Sequence, residues 1–395
     1  MDIINREHQS VFQTYKRLDI EIIKANGVRL YDNKGNEYLD FLGGIAVNLL
    51  GHSHPKVINA IIEQINKYMH ISNFFYQEPQ VKLAEMLKDI TNMDKVFFCN
   101  SGSETTEGAT KLAKKWGSVN NKKDIISFTG GFHGRTYGAL SLMNKPLYME
   151  GMGPYLGDRK ILEFNSIKSL ENGIDENTAA VFLEFMQGEG GLKVVSNEFV
   201  EKLKELKKKY GFLLIADEVQ TGVGRTGKFS FYEYFDIEPE IITIAKGIGG
   251  GLPLGVILAK DNIANLWTFG QHGTTFGGNS VSCVAGLVVL EELMNNNLME
   301  HINLVSSYLN SKLNYLLNKF PNVVNEVRGV GLMTGLELKM EARPIVDKLL
   351  EMKVVTNATS VNVLRLVPPY IITNDDIDEF ISKLEIVLTD FNLSL

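Results

Sequence analysis

Three short stretches of this chain carry groups that packing alone does not explain. The run "LLIADEVQTGVGRTG" (213–227) opens as an apolar strand and sets Asp217 and Glu218 at its exit, with no basic residue before Arg225. A carboxylate delivered there needs a cationic or hydrogen-bonding partner, because burying it without one is costly. In "IAKGIGGG", Lys246 emerges from a run of Ile, Thr and Ala; a desolvated amine has a lowered pKa and is the form that condenses with carbonyl groups. The stretch "NSGSE" (100–104) leads from a strand into a helix, so the backbone N–H groups of Gly102 and Ser103 and the helix dipole face an anion such as phosphate. Taken singly these signals are weak, since lysines snorkel at strand ends and many α/β loops resemble the anion cradle. Taken together they supply what pyridoxal phosphate requires: a seat for its phosphate, a counter-charge for its ring nitrogen and an amine for its aldehyde.

Such groups need rigid elements to position them. From about Val96 onward short apolar runs alternate with amphipathic helical patterns, which predicts an α/β core. "KVFFCNSGS" reads as strand then loop, and "TTEGATKLAKKWG" as helix. "DIISFTGG", "AAVFLEF", "FLLIADEV" and "EIITIAKG" read as strands, and "SNEFVEKLKELKKKYG" as a helix capped at Ser196 or Asn197 and closed by Gly211. Strands apolar on both faces and joined by helices belong in a mostly parallel sheet covered on both sides. After "SVSCVAGLVVLEELMNNN" the texture changes to a smaller α+β unit ending in the helix "NDDIDEFISKLEIVL", with Thr373 as its cap. The hairpin "VRLYDNKGNEYLDFL", with its turn at Asn33 to Gly35, has no helical partner nearby and is assigned to that unit. The expected division is a large cofactor-binding domain over residues 50–297 and a small domain formed by residues 1–49 and 298–395.

The 395 residues carry a net charge of −7 and are 44% hydrophobic, which suits a soluble globular protein and gives no long-range attraction for nucleic acid or an anionic membrane. Two cysteines, Cys99 and Cys283, without a CxxC pair support neither a disulfide scaffold nor a thiolate metal site, and a cytoplasmic location fits them best. The start lacks an apolar signal region, and the longest apolar run, "VSCVAGLVVL", is too short to span a bilayer. Two motif matches fail on context. "GVGRTG" (222–227) satisfies the dinucleotide fingerprint, yet it does not follow its strand directly and opens no amphipathic helix. With Lys228 it approaches a phosphate loop, but Phe229 stands where Ser or Thr must hold magnesium. Its glycines are expected to form a flexible surface turn. His52 and His54 of "GHSHP" point to opposite sides of an extended segment without accompanying Asp, Glu or Cys, so no metal site is assigned and a turn before a proline-started helix is expected.

The combination of "FLGGIAVNLLGHSHP", "NSGSETTE", "GGFHGRT", "QGEGG", "LLIADEVQTGVGRTG", "IAKGIGGGLPLG", "HGTTFGGN" and "VLRLVPP" resembles the class III pyridoxal-phosphate aminotransferases over nearly the whole chain, and most of all their acetylornithine branch. The resemblance implies pyridoxal-phosphate fold type I, as in aspartate aminotransferase, with a mostly parallel sheet of the seven-stranded type. It implies that Lys246 bonds the cofactor's aldehyde and shuttles a proton, while Asp217 pairs with the protonated ring nitrogen and keeps the ring an electron sink. Val219 and Phe132 would cover the two ring faces, Gln220 would bond the phenolic oxygen, and Gly102 and Ser103 would hold the phosphate. Thr275 matches a phosphate ligand given across a dimer interface, with Thr274 beside it a substrate contact, so a homodimer with shared active sites is implied. Arg135 is matched to the α-carboxylate of an acylated diamino acid and Arg365 to glutamate or 2-oxoglutarate, roles that bidentate guanidinium groups suit. Glu189 is matched to a gate that pairs with Arg365 when glutamate is absent.

Departures from the family pattern fall outside the cofactor groups. Thr105 and Thr106 stand where the family usually has Ala-Asn, and Phe185 and Met186 where it has Pro-Ile, which bears on loop conformation and substrate fit. Ile45 stands where enzymes acting on free ornithine usually carry a tyrosine, and an apolar residue there favours an acylated α-nitrogen. The implied reaction moves the δ-amino group of N2-acetylornithine to 2-oxoglutarate, in arginine biosynthesis. Succinylornithine, succinyldiaminopimelate, ornithine and 4-aminobutyrate are alternative donors on the same fold. An NAD-dependent oxidoreductase built on "GVGRTG" and a catalytically silent binding protein are the alternatives of other classes.

Overall fold

Seven strands form the central sheet, in the order Lys95–Cys99, Gly255–Ala259, Ile241–Ile244, Leu213–Asp217, Thr178–Leu183, Asp124–Phe128 and Arg159–Leu162. The computed structural model describes residues 3–393. Gly255–Ala259 runs antiparallel to both neighbours, and the remaining pairs are parallel. The four strands from Ile241–Ile244 to Asp124–Phe128 are buried at every residue, as apolar strands covered on both faces must be. Each Leu, Ile or Val sealed there contributes about 2 kcal/mol relative to exposure, so a charge in place of Ile215 would break the layer.

The helices bring their own start and stop signals. Asn197–Tyr210 buries Phe199, Val200, Leu203 and Leu206; the Ser196 hydroxyl accepts from Phe199 N–H at its start, and Gly211 closes it in the left-handed conformation. Gly102–Val119 begins where strand Lys95–Cys99 ends. There the Ser101 hydroxyl accepts from Glu104 N–H, and the Glu104 carboxylate reaches back to accept from Asn100 N–H. This reciprocal cap fixes the helix N-terminus over the sheet edge.

Both chain ends meet in a second region. The hairpin Arg29–Asp32 and Glu37–Asp40 turns on Asp32, whose carboxylate accepts from the amides of Lys34 and Asn36. Glu37–Asp40 then pairs in parallel with Val354–Val355. Val324–Val330, Met333–Leu338, Val363–Leu366 and Asn357–Thr359 make an antiparallel sheet beside it. Thr373 and Asp376 cap the last helix reciprocally. Helix Pro55–Lys67 starts at its proline, and His52 Nε2 lies 2.7 Å from Asp40 Oδ2.

The turn at 222–227 is not the flexible surface turn that its glycines predict: all six residues are buried. Arg225 donates from Nη1 to the carbonyls of Leu332 and Pro368, and its Cζ lies 4.6 Å from the ring centroid of Tyr370. The Tyr370 hydroxyl donates to Val223 O. Glycine spacing reports local turn chemistry, but residues far along the chain cover this turn and hold it still.

Candidate active site

Asp217 ends its strand buried, with His133 Nδ1 at 2.7 Å from Oδ2 and the amide of Val219 donating to Oδ1 at 3.2 Å. Burial opposes a charge on His133, but the hydrogen bond and charge of Asp217 outweigh it and raise the imidazole pKa. Glu184 exits the neighbouring strand and accepts from the amides of Phe132 at 2.8 Å and Gly188 at 3.3 Å. Burial pushes its carboxyl well above the usual range. One carboxylate thus fixes the loop that carries Phe132 and the loop that carries Glu189.

The helix N-terminus at Gly102 closes on the same strand ends. A Cβ on Gly102 would stand 2.8 Å from Val219 Cγ1, so only glycine lets the first-turn amides approach Val219 this closely. The Ser103 hydroxyl accepts from Arg135 N–H at 3.1 Å, and a Cβ on Gly134 would strike that hydroxyl. Lys246 opens a short 3-10 turn with φ of 52°, a left-handed conformation that costs energy for a lysine and marks a constrained position. Burial pushes its amine below the ordinary value, against the pull of Asp217 and Glu189. Among the described residues that amine makes no hydrogen bond or ion pair. A glycine-lined anion cradle, a buried carboxylate and an unpaired amine therefore converge, and they fit pyridoxal phosphate.

The two arginines differ in setting. Arg365 is 1% exposed and paired through Nη1 with Glu189 Oε1; it also donates to Gln220 Oε1 at 3.2 Å and to Asn357 Oδ1 at 3.2 Å. Burial raises the Glu189 pKa, but Arg365 overrides this and holds the carboxyl below the usual range. Gln220 thus engages Arg365 here. Arg135 is exposed, with its Cζ 3.5 Å from the Tyr148 ring centroid and 5.7 Å from that of Phe132. Ile45 is exposed in a turn where Gly43, Gly44, Ile45 and Ala46 all have positive φ. The Thr274 hydroxyl accepts from Asn100 Nδ2 at 3.1 Å, next to the cradle. Thr275 is exposed, and among the described residues no hydrogen bond ties it to the cluster.

His133, Glu184, Lys145 and Tyr148 were not singled out in the sequence. Glu184 obeys the rule that exposed Asp217, an acid at the exit of a wholly apolar strand, and that signal was available. His133 carried no local signal beyond its place between Phe132 and Gly134.

Residues 11–388 match the Aminotransferase class-III family. The chain is 42% identical over 392 residues to the acetylornithine aminotransferase of Caldanaerobacter subterraneus subsp. tengcongensis, covering 98% of this chain and 99% of that one. An ornithine aminotransferase structure from Toxoplasma gondii superposes with a TM-score of 0.95 at 27% identity, over 99% of this chain and 95% of that one. The acetylornithine aminotransferase structure from Elizabethkingia anophelis gives 0.87 at 32% identity, over 98% of each chain. The chain belongs to the class III aminotransferases. It is a pyridoxal-phosphate-dependent transaminase of fold type I.

Proposed function

We propose that this enzyme transfers the δ-amino group of N2-acetylornithine to 2-oxoglutarate, giving N-acetylglutamate 5-semialdehyde and glutamate, as a cytoplasmic step of arginine biosynthesis. The observation that carries the reading is the pair formed by Glu189 and the buried Arg365. Glutamate bears a carboxylate on its reacting carbon, whereas acetylornithine bears hydrogen there. A cation masked by a displaceable carboxylate serves both: Glu189 neutralises Arg365 for one substrate and yields it to the other. The sequence relatives, named for acetylornithine, support the same donor, as does the apolar Ile45 at the rim.

Bound pyridoxal phosphate supplies an electron sink for the carbanion formed at the substrate carbon. In this reading the amides of Gly102 and Ser103 hold its phosphate, Val219 and Phe132 lie on its ring faces, and Gln220 faces its phenolic oxygen. Asp217, oriented by His133, places a negative charge at the ring nitrogen. Lys246 Nζ, desolvated and basic, would take the proton from the substrate carbon that carries the amino group and give it to the carbon on the far side of that nitrogen, two bonds away. Arg135 clamps the far carboxylate.

The same reading divides the chain into a cofactor-binding domain, residues 50–297, and a small domain built from 1–49 and 298–395. It also assembles two chains into a homodimer in which Thr275 serves the partner's phosphate site and Thr274 contacts substrate. Phe74, Tyr76 and Phe269 are almost fully exposed, and Asn73 ties the loop of the first two to Thr274 and Gly277. An aromatic patch of this kind on a soluble chain favours a partner surface. A panel of amino donors assayed with 2-oxoglutarate tests the assignment: acetylornithine should give the highest kcat/KM, and a higher value for ornithine or 4-aminobutyrate would overturn it.

A further inference from the structure

The Glu189 carboxylate needs somewhere to go when it leaves Arg365. Set free in a cleft where Glu189 is three-quarters covered, with a side-chain exposure of 25%, an unpaired carboxylate would oppose the very substrate that displaces it. Lys145 stands on the other side. Its Nζ donates to the backbone carbonyl of Glu189 at 3.3 Å, and among the described residues it forms no ion pair of its own. Its ammonium lies 5.5 Å from the centroid of the Tyr148 ring, the same ring on which Arg135 stacks. Lys145 and Glu189 both line an open cavity of about 1000 Å³, so the carboxylate has room to turn. Lys246 is the other cation that acts on Glu189, but its amine is committed to the cofactor and the proton.

We propose that Lys145 is the second seat of the gate: when a substrate carboxylate takes Arg365, Glu189 rotates about its own side-chain bonds and pairs with the Lys145 ammonium. No main-chain movement is needed, because the ammonium already touches the main chain of the residue that moves. The backbone of Glu189 stays anchored meanwhile by the Thr359 hydroxyl, which donates to the same carbonyl at 3.1 Å. Lys145 is thereby a positioning residue that sets how readily dicarboxylates enter, and it touches neither substrate nor cofactor. This proposal rests on the gate reading above.

The test uses glutarate, a dicarboxylate without an amino group that occupies the cleft and cannot react, titrated calorimetrically into the holoenzyme. Replacing Lys145 by Met keeps the unbranched stem, loses only the terminal atom's reach, and removes the seat. Glutarate should then bind about tenfold more weakly, the effect of losing one partly buried ion pair. Lys145→Arg should restore most of the affinity. Glu189→Gln should bind glutarate more tightly than the parent, and adding Lys145→Met to that variant should change affinity by less than about twofold, because no displaced charge remains to be seated. Equal weakening in both backgrounds would mean that Lys145 meets the ligand directly, and would overturn the proposal. An unchanged affinity in Lys145→Met, with Glu189→Gln still showing its gain, would overturn the seat and leave the gate standing. No gain in Glu189→Gln would remove the gate and the seat together.

Discussion

His133 Nδ1 lies 2.7 Å from Asp217 Oδ2 with both side chains buried, so the carboxylate assigned to the ring nitrogen is held from behind by an imidazole whose pKa it raises. The pair fixes the direction of the remaining lone pairs, and in the proposed reading the charge left over is what the cofactor would meet.

Asp217→Asn keeps the volume and removes the charge. The fold should stand, while single-turnover amino transfer falls by about 10²–10³-fold, the scale of losing one preorganised electrostatic contact. Stopped-flow absorbance measures the step. A near-normal rate would show that the charge is not needed.

Lys246→Ala should abolish turnover and leave no borohydride-reducible bond between chain and cofactor, as read by intact-protein mass. Cofactor should still bind reversibly through the Gly102 and Ser103 amides. Mass retained after reduction would place the reactive amine elsewhere.

Glu189→Gln should separate the two half-reactions. With Arg365 always available, the glutamate half-reaction should be kept or improved, while that of acetylornithine loses about tenfold because an unmasked cation faces its reacting carbon. Rapid mixing with each donor alone measures both. Equal losses would make Glu189 a structural or cofactor residue.

Glu218, one residue past Asp217, should matter for stability and little for chemistry. Its carboxylate accepts from the amides of Phe231 and Tyr232 and from the Thr221 hydroxyl, and burial pushes it up to about 7 in spite of them. The folded state therefore keeps a proton that the unfolded chain releases, so this group's contribution is full below the unfolded value of 4.5 and declines as pH rises toward 7. Glu218→Ala should lose about 2–4 kcal/mol, since three donors lose their acceptor. It should also lack that pH-dependent component when urea midpoints are compared from about pH 5 to about pH 8.

What the sequence disclosed divides along physical lines. Asp217 and Lys246 stood out because a charge at the end of an apolar strand violates a strong pattern, and the parallel sheet followed from runs apolar on both faces. Ser196, Gly211 and Thr373 announced helix ends because capping is local. The burial of "GVGRTG" was hidden, since Leu332, Pro368 and Tyr370 cover it from distant positions. His133 and Lys145 were hidden for the same reason: a histidine or lysine in a loop has no period to break, and only the folded chain shows that one meets the Asp217 carboxylate and the other the Glu189 carbonyl.

Arg225 gives the molecule a mechanical property. Its guanidinium joins the turn after the Asp217 strand to the carbonyls of Leu332 and Pro368, while Nε and Nη2 have no hydrogen-bond partner among the described residues. No carboxylate among the described residues takes part, so the joint offers no ion pair for added salt to screen. Pro368 lies three residues beyond Arg365. The spacing between Arg365 and the Asp217 strand end is thus braced like a gauge block, by hydrogen bonds to main-chain carbonyls and not by an ion pair.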